Sequence, residues 1–316
     1  MNTLYRALAG ALGCMFAAIV WAAPPMTLIW PASPGGGGDL YFRIISKVMG
    51  AKGVNLVVRN VPGGGATIGV QEVLHSKPDG NTIGGVWTGP ISISPHTLGV
   101  PYKRDDYIPV LQFSSAPYVL CTRPDFPVDT GAELIELVKK NPNKYTYGTD
   151  GPGGLGQLAA TRIFMAFGTS ERDIPYKGAS ESSLAMLSGV VDMYSGTIPT
   201  ILPHVKSGKA KCLLLTSARH NPALPGVSSL ADVGIPKEES LLWRAILVPK
   251  GTPAADIERV EKLFEDAARS PQALAFLKQV GETLELLKGK ELKASWDREY
   301  EAYGKIVKLA GMARKQ

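Results

Sequence analysis

Ser33-Pro34-Gly35-Gly36-Gly37-Gly38-Asp39 follows the apolar run Thr27-Leu28-Ile29-Trp30. It opens a segment, Asp39 to Gly50, with Leu40, Ile44, Ile45 and Val48 on one helical face. A strand, a glycine loop and a helix in that order begin an α/β unit. Glycine lets backbone N–H groups turn toward one point, and the helix that follows adds its unpaired N-terminal N–H groups and the positive end of its dipole. The arrangement recurs twice. Asn55-Leu56-Val57-Val58 leads into Pro62-Gly63-Gly64-Gly65-Ala66 and a helix to Ser76. Tyr145-Thr146-Tyr147 leads into Thr149-Asp150-Gly151-Pro152-Gly153-Gly154-Leu155-Gly156 and a helix to about Phe167. One such loop is a weak sign of an anion site. Three in one chain point to a protein that holds a small anion between loops.

The rest of the chain repeats the alternation, which predicts an α/β fold with mainly parallel sheets flanked by helices. Further strands are expected at Thr82–Trp87, within Val110–Cys121, and at Asp173–Tyr176, Val191–Tyr194, Cys212–Thr216 and Leu241–Val248. Helices are expected at Thr130–Lys140, Pro271–Val280 and Glu291–Leu309. Another starts at Thr252-Pro253, with Thr252 as its cap and Pro253 in its first turn. The prolines at 124 and 127 and the loop-rich stretch from Arg219 to Pro236 are natural crossings between two lobes. The expected division is one lobe from 23–121 and 222–316 and a second from 122–221.

Composition narrows the function. Residues 1–22, with Arg6 the only charge, an apolar run from Ala7 to Val20 and a small-residue site at Val20-Trp21-Ala22, read as a secretory signal peptide. Cys14 faintly suggests a lipoprotein box, but apolar residues follow it where a polar tether is needed. The chain is therefore expected in the periplasm. Its net charge of +6 is mild, with no basic cluster of a nucleic-acid binder. His75, His96, His204 and His220 show no metal spacing, so no metal or cofactor is expected. Cys121 and Cys212 both lie in apolar strands; they are either two buried thiols or a disulfide that export permits. Nothing suggests more than a monomer.

An ordered set of motifs carries a sharper reading. Pro34-Gly35-Gly36-Gly37-Gly38-Asp39 with Arg43, then Val57-Val58-Arg59-Asn60-Val61-Pro62-Gly63-Gly64-Gly65-Ala66-Thr67-Ile68-Gly69, then Pro78-Asp79-Gly80 run in sequence. Pro175-Tyr176-Lys177-Gly178, Gly189-Val190-Val191-Asp192, and Trp243 with Val248-Pro249 follow. In this order the chain resembles the tripartite tricarboxylate transporter receptors, or Bug family. The resemblance implies a two-lobed periplasmic-binding-protein fold of type II with a ligand cleft between the lobes. It implies a small carboxylate ligand held largely by backbone N–H groups and ordered water, and delivery to a two-component membrane permease. The site expected is Pro34, Gly35 and Gly36 from the first loop; Gly63, Gly64 and Gly65 from the second; and Trp87 and Thr88 after the third strand. Thr149, Gly151, Gly153, Gly154 and Gln157 come from the third loop, with Tyr176 and Lys177 beyond it. Asp39 is expected to brace its helix, and Trp243 and Asp192 to be structural.

The chain departs from the family at three places. Ala66 stands where glycine is usual, Gly154 where Ser or Thr is usual, and Gln157 where His is usual. Asp150 adds a negative charge beside the expected site; it either turns to solvent or tunes selectivity toward a ligand with a donor such as an amine or hydroxyl. Two other functions fit parts of the sequence. The same receptor in a sensing role would signal to a kinase. A nucleotide-binding enzyme would use Gly151-x-Gly153-x-x-Gly156 with Glu171. Against the enzyme, that motif sits mid-chain and its acidic residue precedes the next strand.

Overall fold

The computed structural model describes residues 25–313, so the expected leader at 1–22 lies outside the described residues. Among the described residues ten strands alternate with helices, nine of the strands where the sequence predicts. The first unit is β1 (Met26–Trp30), α1 (Gly37–Gly50), β2 (Leu56–Asn60), α2 (Thr67–Leu74) and β3 (Thr82–Trp87). β1 lies between β2 and β3, parallel to both. The second unit is β5 (Thr146–Thr149), α5 (Leu155–Ala166), β6 (Arg172–Pro175), α6 (Ala179–Leu187) and β7 (Met193–Thr197). β5 lies between β6 and β7, again parallel to both.

Two long strands join these units and make the sheets mixed. β4 (Tyr107–Thr122) pairs antiparallel with β9 (Leu241–Pro249) along Tyr107 to Pro117, then with β7 along Tyr118 to Thr122. β9 also pairs antiparallel with β3. The parallel pairs expected from the alternation are present within each unit; antiparallel pairs arise where β4 and β9 cross between them. β10 (Thr283–Lys288) adds an antiparallel partner along Leu111 to Ser115 of β4, and β8 (Lys211–Leu215) another along Val119 to Thr122.

Each face is covered by amphipathic helices, and the packing explains several residue choices. α1 lays Tyr41, Phe42, Ile45 and Met49 on β1 and β4, with Tyr41 stacked on Phe113 at 4.6 Å. α4 (Gly131–Lys140) starts on a reciprocal cap. Thr130 Oγ1 accepts from Glu133 N at 3.2 Å, and Glu133 accepts from Thr130 N at 3.1 Å. α8 (Ala254–Ala268) buries Val260, Phe264 and Ala267, but it begins one residue later than expected. Pro253 is its cap residue, and the Thr252 hydroxyl donates backward to the Pro249 carbonyl at 2.8 Å. α9 (Pro271–Gln279) and α10 (Gly289–Leu309) follow. No helix among the described residues is long and apolar enough to cross a membrane.

Four elements carried little sequence signal. α3 (Ser94–Thr97) is a short turn after a π-turn at Gly89–Ile93. α6 is serine-rich, and α7 (Ile198–Lys206) contains Pro199 and Pro203, which disguise it as a loop. β10 reads Thr-Leu-Glu-Leu-Leu-Lys, an alternation short enough to pass for a helix turn. Cys121 and Cys212 are register partners on β4 and β8 and form a disulfide, which decides between the two readings left open by sequence.

Candidate functional site

Parallel pairing brings the first two glycine loops together. Trp30 and Asn60 are register partners at the ends of β1 and β2, so both loops leave the same sheet edge. Asp39, 1% exposed, braces this edge as expected. It accepts from Gly35 N at 2.9 Å, Arg43 Nε at 3.0 Å and Asn60 Nδ2 at 2.9 Å. Burial works to raise its carboxyl, and those three bonds outweigh burial and hold it below the ordinary value. The Gly35 N–H is thus spent within the loop. The N–H groups of Gly36, Gly37 and Gly38, at the start of α1, make no hydrogen bond among the described residues. Pro34, Gly35 and Gly36 are exposed.

The second loop is also exposed at Gly63, Gly64 and Gly65, and all three have positive φ. Ala66 keeps the left-handed conformation that glycine would adopt, at φ 79°, and its N–H donates to Gly63 O at 3.0 Å. The departure from the family therefore leaves the turn intact at a cost of ~1 kcal/mol for a side chain in that region. Gly64 and Gly65 N–H groups have no backbone acceptor among the described residues.

At the end of β3, Trp87 lines the cleft and packs on Trp30 at 4.9 Å. Thr88 does not reach the cleft. It is fully buried, donates to Leu241 O and accepts from Trp243 N, each at 3.0 Å, so it ties β3 to β9.

The third loop is organised differently from the other two. Gly153 N donates to Gln157 Oε1 at 2.7 Å, and Gly154 N to Gly151 O at 3.3 Å. Thr149 is buried and donates to Asp173 at 2.8 Å. Asp150 turns inward, which removes the solvent reading. Its Oδ2 accepts from Tyr118 Oη at 3.0 Å, and its shielded Oδ1 has no hydrogen-bond partner. Burial raises the Asp150 carboxyl; Tyr118 and the nearby N–H groups of Asp150 and Gly156 counter this only in part. Gly156 is a packing glycine, since a Cβ there would lie 2.8 Å from Ser195 O on β7. Glu171 accepts from Tyr145 N and Thr169 Oγ1. These bonds hold it within the fold and leave the nucleotide reading without its ribose partner. Tyr176 rests over Gly148, and Lys177 is exposed outside the cleft cavities.

Two cavities of about 340 Å³ flank the crossing strands and share Tyr118 and Leu242 as walls. The first is lined by Gly65, Trp87, Asp150 and Gly151 to Gly154, among others, and so joins the second and third loops. The second lies between α1 at Gly37 and the start of α7, with Arg244 and Glu282 in its wall. A larger groove of about 500 Å³ runs between Tyr102–Tyr107 and α10. Its walls are surface ion pairs such as Arg104 with Asp297 at 3.3 Å, and none of the glycine loops reaches it.

Arg244 is the functional candidate that sequence reading missed. It is 9% exposed, pairs with Glu282, and approaches Gly37 closely enough that a Cβ there would lie 3.2 Å from Nη2. No other hydrogen bond engages its guanidinium among the described residues. An arginine inside an otherwise apolar strand was the available signal.

Behind the cleft, Glu299 on α10 accepts from Trp243 Nε1 and from Ser92 Oγ at 3.0 Å. Part of its side chain reaches the surface, but the carboxylate faces inward, and burial pushes it up to about 7 against those two bonds. A carboxyl with a folded value above its ordinary 4.5 stabilises fully below about 4.5, and that contribution is lost as pH rises through about 7. Glu299→Gln keeps an acceptor for both donors. It is expected to be more stable than the parent by about 2 kcal/mol at pH 8 and to lose that advantage by pH 4.5; urea melts across this range read the crossing.

The profile of the tripartite tricarboxylate transporter family receptors, TctC, matches residues 42–309. A UPF0065 protein of Bordetella pertussis is 32% identical over 260 residues, covering 81% of this chain and 80% of that protein. Protein BugT of the same species is 28% identical over 79% of this chain and 78% of its own length. The solved structure of the periplasmic binding protein BugD, 26% identical, superposes with a TM-score of 0.73 over 92% of this chain and 99% of that one. The fold is shared with R. palustris Rpa4515 with adipate, at a TM-score of 0.76 and 24% identity over 92% and 98% of the two chains.

Proposed function

The chain belongs to the tripartite tricarboxylate transporter receptor family, and from that premise we propose that it is a periplasmic receptor that binds a small carboxylate between its lobes and delivers it to a two-component membrane permease. One lobe is built on β1, β2, β3, β9 and the first part of β4, and the other on β5 to β8 and the last part of β4. In this reading the lobe boundary lies near Pro117-Tyr118, where β4 passes from β9 to β7, and within 216–240. Closure about these crossings brings the third loop toward the first two.

The observation that carries this reading is the set of N–H groups at Gly36, Gly37, Gly64 and Gly65 that lack a backbone acceptor, with the Arg244 guanidinium beside Gly37. Backbone donors at a helix start, next to a planar cation, suit a carboxylate. Pro34, Gly35 and Gly63 shape the first two loops. Trp87 joins them from the end of β3, Gly151, Gly153 and Gly154 form the opposing wall with Gln157 bonded to Gly153, and Thr88 and Thr149 act behind the two walls. Tyr176 and Lys177 are assigned to the rim.

Calorimetry on ligand-free protein against mono-, di-, tri- and aromatic carboxylates tests the binding. Saturable one-to-one binding that Gly36→Val abolishes is the expected result; silence across the panel removes the reading. Uptake of the bound acid, lost in a deletion strain, separates delivery to a permease from signalling to a kinase.

A further inference from the structure

Of the two cavities that flank the crossing strands, the one between α1 and the start of α7 holds one charged pair among largely apolar walls. Arg244 is its only cation and Glu282 its only anion. Arg244 is 9% exposed and contacts Glu282, yet its Nη1 is buried without a hydrogen-bond partner. Its Nη2 faces the first turn of α1 at Gly37, whose N–H also lacks an acceptor among the described residues. Glu282 is held in place by Ser114 Oγ at 2.9 Å. Most of the remaining wall is Leu40, Pro117, Ile198, Pro199, Leu242 and Phe276. The hydroxyls in the wall are engaged: Thr197 and Thr200 bond each other at 3.0 Å, and Tyr118 donates to Asp150 at 3.0 Å. Leu40 is 44% exposed, a large apolar side chain left open at this cavity one turn beyond Gly37.

We propose that the ligand is a monocarboxylate with an apolar body, seated in this one cavity with its carboxylate against Arg244 and the start of α1 and its body along Leu40, Ile198 and Phe276. The proposal rests on the receptor reading above and specifies its substrate class. The guanidinium supplies a buried charge with planar donors, and the helix start adds an N–H on the same side. Each methylene of the body takes apolar wall out of water. A second carboxylate at the far end would give up its hydration against apolar side chains, with no second cation to pair with and with Glu282 as a like charge. The cavity volume of about 340 Å³ and its few polar groups match small-molecule sites, which run from about 300 to 1,000 Å³.

The test is calorimetry at about pH 7.5 with butanoate, hexanoate and adipate. Hexanoate is expected to bind about tenfold tighter than butanoate, from two further methylenes, and at least about tenfold tighter than adipate, which has the same reach and a second charge. Two variants place the body. Leu40→Gln alters the wall of this cavity and Leu98→Gln that of the other, and both leucines are exposed, at 44% and 53%. Leu40→Gln is expected to weaken hexanoate at least about threefold more than Leu98→Gln does, with both melting temperatures retained. Adipate binding as tightly as hexanoate overturns the proposal and leaves the receptor reading standing. An effect of Leu98→Gln equal to or larger than that of Leu40→Gln overturns this cavity as the seat of the body. No binding of hexanoate counts against the proposal, and the wider carboxylate panel then decides the receptor reading separately.

Discussion

Arg244→Met is expected to lower stability by about 3–5 kcal/mol and to abolish carboxylate binding. The side chain sits on β9 opposite Ser114 of β4, and Glu282, 8% exposed, is its ion-pair partner. Removing the guanidinium leaves a carboxylate enclosed with one serine hydroxyl, and breaking a buried pair from one side costs that much because a charge is left uncompensated. The pair itself contributes far less, since its attraction is set against the desolvation of both ions. Arg244→Met with Glu282→Leu is therefore expected to recover most of the loss while binding stays absent. Urea denaturation of the two single variants and the double variant measures the coupling. Equal stability of Arg244→Met and the parent would show that the pair is not formed in solution.

Gly38→Ala is expected to cost about 3 kcal/mol and to weaken ligand binding. Gly38 lies in the first turn of α1, and a Cβ there would stand 2.2 Å from Trp30 Cζ2 and 2.5 Å from Cη2. The ring cannot swing away, because Phe42 packs at 5.3 Å and Trp87 at 4.9 Å. Alanine gains about 1 kcal/mol in helix propensity, which the clash exceeds, since overpacking a filled core costs roughly 1–3 kcal/mol and occasionally more. The start of α1 must lift away from β1, and the N–H groups of Gly36 and Gly37 move with it. Thermal melts read the stability and calorimetry the binding. A control at Gly50, where a Cβ meets nothing within 4 Å, should leave binding unchanged and stability equal or up to about 1 kcal/mol higher.

Much of this architecture is legible in the sequence because its signals are local. Thr27-Leu28-Ile29-Trp30 followed by four glycines can hardly be anything but a strand, a turn and a helix. Asp39 could be assigned as a brace from its place in the first helical turn. What escaped sequence reading depends on register. Arg244 is one polar residue in an apolar strand, and its meaning appears only when β9 lies beside β4 and places it near Glu282, 38 positions further on. Asp150 left two orientations open, and the long-range contact with Tyr118 on β4 decides between them. Thr88 and Thr149 carry hydroxyls at the right distance from the loops, yet Trp243 and Asp173 claim them from outside the cleft. Glycines that bind and glycines that only permit close packing, such as Gly38 and Gly156, look identical in a string of letters.

β4 has a consequence for how such a molecule can be inherited. Its first part supplies Val110, Leu111 and Phe113 to one hydrophobic core, and its last part supplies Val119 and Cys121 to another. Neither half of the protein owns a complete boundary. A recombination that exchanges one half between relatives must cut this strand and therefore mixes the interiors of both. The ligand end of the molecule can diversify by single substitutions in its loops, while the halves themselves are transmitted as one indivisible unit.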